Sequence, residues 1–208
     1  MRRLVSIWCS VLLTVLAGLG SAAFAHDQEF EGEGVGDGQQ YVLAPCIHGA
    51  AFIFPCSATD LIAWVPPPVF GDFFASDVWG WTDPETGREY AILGHHDGTA
   101  FFDLGDPADP VYLGTLPTQT VGSSWRDIKT YADHAFIVSE AGGHGMQVFD
   151  LIQLRSVTAP PVVFAETAHY GDFGSAHNLV INEETGYAYG VGTNTCAGGL
   201  HIVDVTKG

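Results

Sequence analysis

The sequence predicts an all-β protein, a β-propeller built from four-stranded antiparallel blades. From Val78 onward, short apolar runs alternate with turn signals and show almost no helical periodicity. Three segments also share one order of turn, strand, loop and a strand that ends in aspartate. These aspartates are Asp103, Asp150 and Asp204, spaced by 47 and 54 residues. Four strands at a period of about 40–50 residues are typical of a propeller blade. An antiparallel sandwich with chance resemblance between hairpins is the alternative fold.

The strands of each segment can be assigned in order. In the first segment they are Asp77–Trp81, Glu89–Leu93, Ala100–Leu104 and Val111–Gly114. In the second they are Asp127–Tyr131, Ala135–Val138, Met146–Leu151 and Pro161–Phe164. In the third they are Asn178–Ile181, Tyr187–Val191 and Leu200–Val205. A propeller needs at least four blades to close, so we expect this chain to be the N-terminal part of a longer protein whose C-terminal blades are missing here.

Composition supports a folded chain and excludes two classes of partner. Of the 208 residues, 47% are hydrophobic and 15% are charged, which is sufficient for a packed core. The formal net charge is −17, with seven Lys and Arg against 24 Asp and Glu. So few cations cannot form the basic face that binds nucleic acid or anionic lipid. Cations, neutral glycans and proteins with basic patches remain as partner classes.

The first 25 residues have the pattern of a secretory signal peptide. A short cationic start, Met1–Arg3, precedes an apolar stretch over 4–19, and small residues stand just before His26. The apolar stretch is too short for a comfortable membrane span, and a retained anchor is the alternative. We therefore expect a secreted or cell-surface protein with no membrane insertion after cleavage.

Three regions follow the signal peptide. Residues 26–40 are acidic and rich in glycine, which predicts a flexible tail. Residues 41–76 form an N-terminal segment that contains Cys46 and Cys56, the natural disulfide pair of an exported chain. Residues 77–208 form the blades. Cys196 is then unpaired, either as a free thiol or because its partner lies beyond residue 208.

The order of motifs resembles the secreted bacterial family with LVIVD-type repeats, the choice-of-anchor B proteins. The blocks that carry the resemblance include DVWGWTDPETG (77–87), DGTAFFDL (97–104), HAFIVSEAGGHGMQVFDL (134–151) and SAHNLVINEETG (175–186). Together with the segments between them, they cover nearly all of residues 41–208. The resemblance implies an extracellular β-propeller, usually longer than this chain, with a variable C-terminal surface anchor. It implies no settled biochemical activity.

Blade geometry sorts the loops onto two faces and predicts where chemistry lies. One face carries the mouth of the central channel, which is ringed by Asp77, Arg126, Asp127, His177 and Asn178. The same face carries, further out, His95, His96, Asp97, Glu140 and His144. His134 and the Glu-Thr-Gly turns fall on the opposite face.

Imidazoles and carboxylates on one surface are typical ligands of divalent transition metals. The candidate metal ligands are His177, His95, His96 and His144. For His177 and Asn178 the alternative is hydrogen bonding between blades. Calcium is a second candidate ion, but the aspartates over 103–109 do not match an EF-hand loop, and an Asp-Pro turn explains them better.

The sequence favours an extracellular or surface-anchored binding or scaffold module whose partner is a protein or a glycan. A metal-dependent enzyme, redox or hydrolytic, with His177 at the channel mouth is the alternative. No nucleophile or phosphate-loop motif occurs. Large aromatics in the first strands of blades are typically core residues, yet four can also offer sugar-stacking surfaces. These are Trp64, Trp79, Trp81 and Trp125.

Overall fold

A computed structural model describes residues 44–71 and 74–206 of the chain. The predicted signal peptide over 1–25 and the predicted tail over 26–40 lie outside the described residues. The described part is all-β, as predicted, and its 14 strands form four sheets, none of which closes on itself. No helix within it is long and apolar enough to cross a membrane.

A disulfide and a small hairpin hold the N-terminal segment together. Cys46 is bonded to Cys56, which confirms the predicted pair. The hairpin strands are β1 (Ala50–Ala51) and β2 (Phe54–Pro55). A short 3-10 helix over Pro67–Phe70 follows. Its Phe70 packs edge-on against Phe102, with ring centroids 6.1 Å apart, so this segment covers one face of the next sheet.

The first large sheet contains five strands. They are β3 (Ala75–Thr82), β4 (Glu89–His95), β5 (Gly98–Asp103), β6 (Val111–Pro117) and β10 (Val162–Val163). Strands β3 to β6 run antiparallel in chain order, and β10 is added in parallel at the free edge of β6. Short connections between consecutive strands make this antiparallel order the natural one.

The second and third sheets repeat the antiparallel order. The second consists of β7 (Arg126–Tyr131), β8 (His134–Ser139), β9 (Met146–Asp150) and β11 (Ala168–Tyr170). The third consists of β12 (Asn178–Asn182), β13 (Tyr187–Val191) and β14 (His201–Asp204). Two further 3-10 helices lie at Leu151–Ser156 and Cys196–Gly198. Apart from β10 and β11, the strands of the three large sheets lie where the sequence predicts them, to within three residues at each end.

The prediction for Pro161–Phe164 is wrong. The sequence predicts these residues to be the fourth strand of the second segment, but β10 pairs with β6 of the first sheet, and β11 pairs with β9 instead. The Phe164 ring packs edge-on against Phe101 and Phe149, with centroid distances of 5.3 and 5.1 Å. Burial of this aromatic ring at the junction of the two sheets draws the segment to the first sheet.

The second sheet lies between the other two, and β8 shows how its sequence permits this. Successive side chains of a strand point to opposite faces. Ala135 and Ile137 pack into the core shared with the first sheet, whereas Phe136 and Val138 pack into the core shared with the third. A strand that is buried on both faces has to be apolar at nearly every position.

Within the described part of the chain, the third sheet is covered on one face only. Leu179 and Ala188 pack toward the second sheet. On the other face, Val180, Tyr189 and Ile202 lie directly opposite one another across the three strands. Val180 is 57% and Ile202 is 55% exposed, so this face presents an apolar row to solvent.

Candidate functional site

The first strands of the three large sheets, β3, β7 and β12, are neighbours, and carboxylates join them near their starting ends, which we name the upper end. Asp77 Oδ2 accepts the backbone N–H of Ile128 at 2.9 Å. Asp127 Oδ2 accepts the N–H of Leu179 at 2.5 Å. Each aspartate therefore ties its own sheet to the next one. Asn178 holds the equivalent position in the third sheet.

Lys129 balances the charge of these two carboxylates. Its Nζ lies 2.6 Å from Asp127 Oδ1, 3.7 Å from Asp77 Oδ2 and 4.3 Å from the centroid of the Trp79 ring. Burial raises the pKa of Asp77, and the adjoining Asp127 carboxyl adds to this effect. Burial acts in the same direction on Asp127, but the Lys129 ammonium and the Leu179 N–H outweigh it and lower the pKa of Asp127. These groups form a structural bridge between sheets.

Arg126 does not line an open channel mouth, contrary to expectation, because only 1% of it is exposed. Its Nε–H donates to His95 O at 2.7 Å and its Nη2–H donates to His96 O at 3.1 Å. Its Nη1–H donates to His144 Nε2 at 2.9 Å. A guanidinium removed from water needs several acceptors, and the junction of the first and second sheets supplies these three.

His144 is fully buried and electrically neutral. Because Nε2 accepts from Arg126, Nδ1 carries the proton and donates to Gly145 O at 3.1 Å. Burial, assisted by the Arg126 charge, lowers the pKa of His144 to about 4. Both ring nitrogens are occupied, so this imidazole has no lone pair left for a metal ion.

His95 and His96 lie in different surroundings, because neighbours in an extended segment point to opposite sides. His95 is 3% exposed, and its Nε2 lies 3.0 Å from Thr115 Oγ1. His96 Nδ1 lies 2.7 Å from Asp97 Oδ1. Within residues 44–71 and 74–206, no group of three or more His, Cys, Asp or Glu is arranged to hold a metal ion. The structure does not assemble a metal site from the four predicted ligands, His95, His96, His144 and His177.

The acidic loop over 103–109 forms turns. Asp103 Oδ1 accepts the N–H of Gly105 at 2.8 Å, and Asp106 Oδ1 accepts the N–H of Ala108 at 2.9 Å. Asp103 also pairs with Arg88 at 2.6 Å. These carboxylates satisfy the local backbone, as aspartates in turns do.

Cys196 is an exposed free thiol. Its Sγ lies 3.9 Å from His201 Nδ1, and that nitrogen lies 2.8 Å from Thr195 Oγ1. His201 Nε2 lies 2.8 Å from the Tyr170 hydroxyl. The imidazole of His201 is therefore held by two hydroxyl groups rather than directed at the thiol.

Three residues meet at the upper end of the junction between the second and third sheets. His177 Nδ1 lies 2.5 Å from Glu140 Oε1. The His177 ring stacks on the Trp125 indole, with centroids 4.5 Å apart and planes inclined by 7°. The Trp125 Nε1–H donates to His177 O at 2.7 Å. We name Trp125, Glu140 and His177 the upper-rim platform.

The platform is exposed, yet short loops hold it in place. Ser123 and Ser139 both donate their hydroxyls to Trp125 O, at 3.2 and 3.1 Å. Trp125 is 40% exposed, and the side chains of Glu140 and His177 are 51% and 46% exposed. The Trp125 ring is stacked on His177, its indole N–H is hydrogen-bonded, and the backbone carbonyl of the same residue is held by the two serines. The side chain therefore has little rotamer freedom left to lose when a ligand binds.

The charge of Glu140 and the position of the proton on the His177 ring decide which hydrogen bonds the platform can form with a ligand. A carboxylate only accepts hydrogen bonds, so His177 Nδ1 carries a proton and donates it toward Glu140. In its neutral form the ring carries a lone pair on Nε2. The platform can therefore accept hydrogen bonds from a ligand or supply one imidazole to a metal ion.

Sequence reasoning placed Glu140 and His177 on one face but did not pair them. For Trp125 it favours a core position over a sugar-stacking surface, whereas the structure exposes the side chain at the rim. The repeat alignment contains the missing signal. The loop after a second strand and the start of the next first strand lie at the same end of adjacent blades, so Glu140 after β8 and His177 before β12 are expected to meet.

Comparison of the chain with protein-family models, with curated proteins and with solved structures gave no match. The function therefore has to be argued from the geometry of the site itself. That geometry consists of one buried polar junction around Arg126 and one exposed platform around His177.

Replacing Asp127 with alanine should destabilise the fold by about 2–4 kcal/mol. The change leaves the buried Leu179 N–H without its acceptor and leaves Lys129 without its nearer carboxylate. Urea unfolding at pH 7 measures the loss. Glu184→Ala, an exposed carboxylate in a turn, is the control and should stay within about 0.5 kcal/mol of the parent. An equal effect in both variants would show that the Asp127 bridge contributes nothing to stability.

Stability should fall as the pH decreases from about 6.5 toward about 4, in part because of His144. The pKa of His144 is lower in the folded state than its ordinary value of 6.5, so the unfolded chain takes up the proton first. The stabilisation present above pH 6.5 is therefore lost across this window, by roughly 3 kcal/mol at 1.4 kcal/mol per pH unit.

His144→Gln isolates this contribution, because its amide oxygen can still accept from Arg126. Unfolding free energies at pH 7, 6, 5 and 4 should decline less steeply in the variant than in the parent. Parallel curves for the two proteins would contradict the assignment of the pH dependence to His144.

Proposed function

We propose that the chain forms blades of an extracellular or surface-anchored β-propeller of the LVIVD-repeat, choice-of-anchor B type, and acts there as a binding or scaffold module. The observation that carries the binding function is the upper-rim platform, which is exposed, rigid, aromatic and able to accept hydrogen bonds. The Cys46–Cys56 disulfide and the predicted export signal support an extracellular location.

Repetition supports the propeller. Three sheets follow one another in chain order, and their first strands lie side by side, as the first strands of blades do around an axis. The same carboxylate bridge occurs at Asp77 and at Asp127. Asn178 occupies the next place in that series, and the row of Val180, Tyr189 and Ile202 faces the side on which a further sheet would pack.

The arrangement of the platform favours binding over metal-dependent catalysis. One imidazole and one carboxylate hold a metal ion weakly, since stable sites use three or more protein ligands. The described residues supply no such group. A metal-dependent enzyme, redox or hydrolytic, is nevertheless the second candidate, because Glu140 bonds His177 Nδ1 in the way that carboxylates orient metal-binding histidines.

The propeller predicts that a further sheet covers the apolar row of the third sheet in the intact protein. Ile202→Asp should then lower the unfolding free energy by about 2–4 kcal/mol, because it buries an unpaired charge. Val163→Asp, at a position that is 77% exposed, is the control and should be nearly neutral. Chemical denaturation of the full-length secreted protein measures both. A neutral Ile202→Asp would show that this face is open to solvent and would remove this support for further blades.

The binding function is tested by screening the full-length secreted protein against arrays of glycans and of extracellular-protein peptides. A ligand of the platform should lose at least about tenfold in affinity with Trp125→Ala and His177→Ala. It should bind normally to His134→Ala, which changes a histidine at the opposite end of the second sheet. Saturable ligands that all tolerate both platform variants would contradict the assignment of binding to the platform.

Elemental analysis by plasma mass spectrometry after exhaustive dialysis separates the two candidates. Stoichiometric copper, zinc or iron that is lost in His177→Ala would replace the binding proposal with the enzyme. Metal at far less than one equivalent in both proteins would remove the enzyme proposal.

A further inference from the structure

We propose that the upper-rim platform binds a pyranose ring of a neutral glycan. This inference rests on the proposed binding function and names the ligand class of that same site. The ring packs its C–H face on the exposed Trp125–His177 stack and donates hydroxyl protons to the acceptors beside it.

The aromatic stack supplies an apolar surface whose shape exists before the ligand arrives. Trp125 and His177 lie parallel at 4.5 Å, and the indole N–H is fixed on His177 O at 2.7 Å. Such rings present a large contact area and lose little conformational entropy on binding. A pyranose has one face of C–H groups that is flat enough to lie on a ring of this size.

The polar atoms that the platform presents to a ligand are hydrogen-bond acceptors, so the platform favours a ligand that is rich in hydrogen-bond donors. Glu140 has lone pairs beyond the one that faces His177, and the neutral form of the His177 ring adds a lone pair on Nε2. The nearby hydroxyls of Ser123 and Ser139 already donate to Trp125 O. Sugar hydroxyls donate readily to carboxylate and imidazole acceptors. A peptide backbone brings one carbonyl acceptor for every N–H donor, and these three platform side chains offer its carbonyls few donors in return.

Charge selects a neutral sugar over an anionic one. The chain has a net charge of −17, and Glu140 stands at the platform itself. Sialylated, uronic or sulfated glycans would therefore be repelled both at long range and at contact. A lysine or arginine side chain meets the same acceptors and can lie over the same ring, so a basic peptide is the competing occupant.

The test is a titration of the full-length secreted protein with the methyl glycosides of glucose, galactose, mannose and N-acetylglucosamine. Saturation-transfer NMR and tryptophan fluorescence report binding. At least one glycoside should bind saturably in the millimolar range, as expected for a single ring on an open site. Its C–H protons should receive the strongest saturation, because that face lies on the stack.

Platform variants and matched controls identify the site. Trp125→Ala should weaken binding by about tenfold or more, and Trp125→Phe should weaken it less because a ring remains. Glu140→Gln should cost a similar factor, because the amide replaces one acceptor oxygen with a donor. Tyr187→Ala removes an aromatic ring of almost equal exposure, 42%, at the opposite end of the third sheet, and Glu184→Gln removes a carboxylate in a distant turn. Both controls should bind the glycoside as the parent does.

Two results would overturn the inference, and they differ in what they leave standing. If no glycoside binds but acetyl-lysine amide or acetyl-arginine amide binds in a manner that Trp125→Ala abolishes, the glycan is the wrong ligand class and the binding function of the platform remains. If a glycoside binds equally well to the parent and to Trp125→Ala, the sugar site lies elsewhere, and the platform is not the glycan site.

Discussion

A carboxylate that accepts a backbone N–H from the neighbouring sheet is the interaction on which the rest of this structure depends. Asp77 reaches Ile128 and Asp127 reaches Leu179, so each first strand is tied to the next at one height. An unpaired N–H or an unpaired carboxylate would be costly at these places, and Lys129 completes the balance of charge. With this register set, the apolar faces of β8 meet the correct faces of both neighbours, and the loops at the upper end are brought within reach of one another.

The two sheet junctions use equivalent positions for different purposes. Between the first and second sheets, Arg126 turns inward, where two carbonyls and the neutral His144 accept from it. Between the second and third sheets, the equivalent position is His177, which is too short to span the junction and stays at the rim with Glu140 and Trp125. The long Arg126 side chain, with its several donors, is therefore buried at the first junction, whereas the shorter His177 side chain remains exposed at the second. This difference leaves an exposed aromatic and polar surface at the junction of the second and third sheets.

Much of the fold could be predicted because strand and turn patterns are local. The strands of the first sheet up to Val111–Pro117, the order of the hairpins and the Cys46–Cys56 pair all follow from short-range pattern and spacing. The failure at Val162–Val163 has a non-local cause, because its partner strand is decided by where the Phe164 ring finds an aromatic pocket. For the site, the sequence singled out His177 and Glu140, but it could not show that Arg126 and His144 face each other inside a junction.

The sequence by itself determined an acidic, β-rich chain with a short disulfide loop, and it predicts an export signal and a repeated unit, because composition, period and spacing act within tens of residues. Only the tertiary structure decided which polar residues are buried and which are accessible. That outcome depends on side chains more than 30 residues apart, such as the stacked rings of Trp125 and His177, whose contact exists only when two sheets pack. Long-range packing removes some polar groups from water and leaves others in it, and the three side chains of Trp125, Glu140 and His177 stay exposed for this reason.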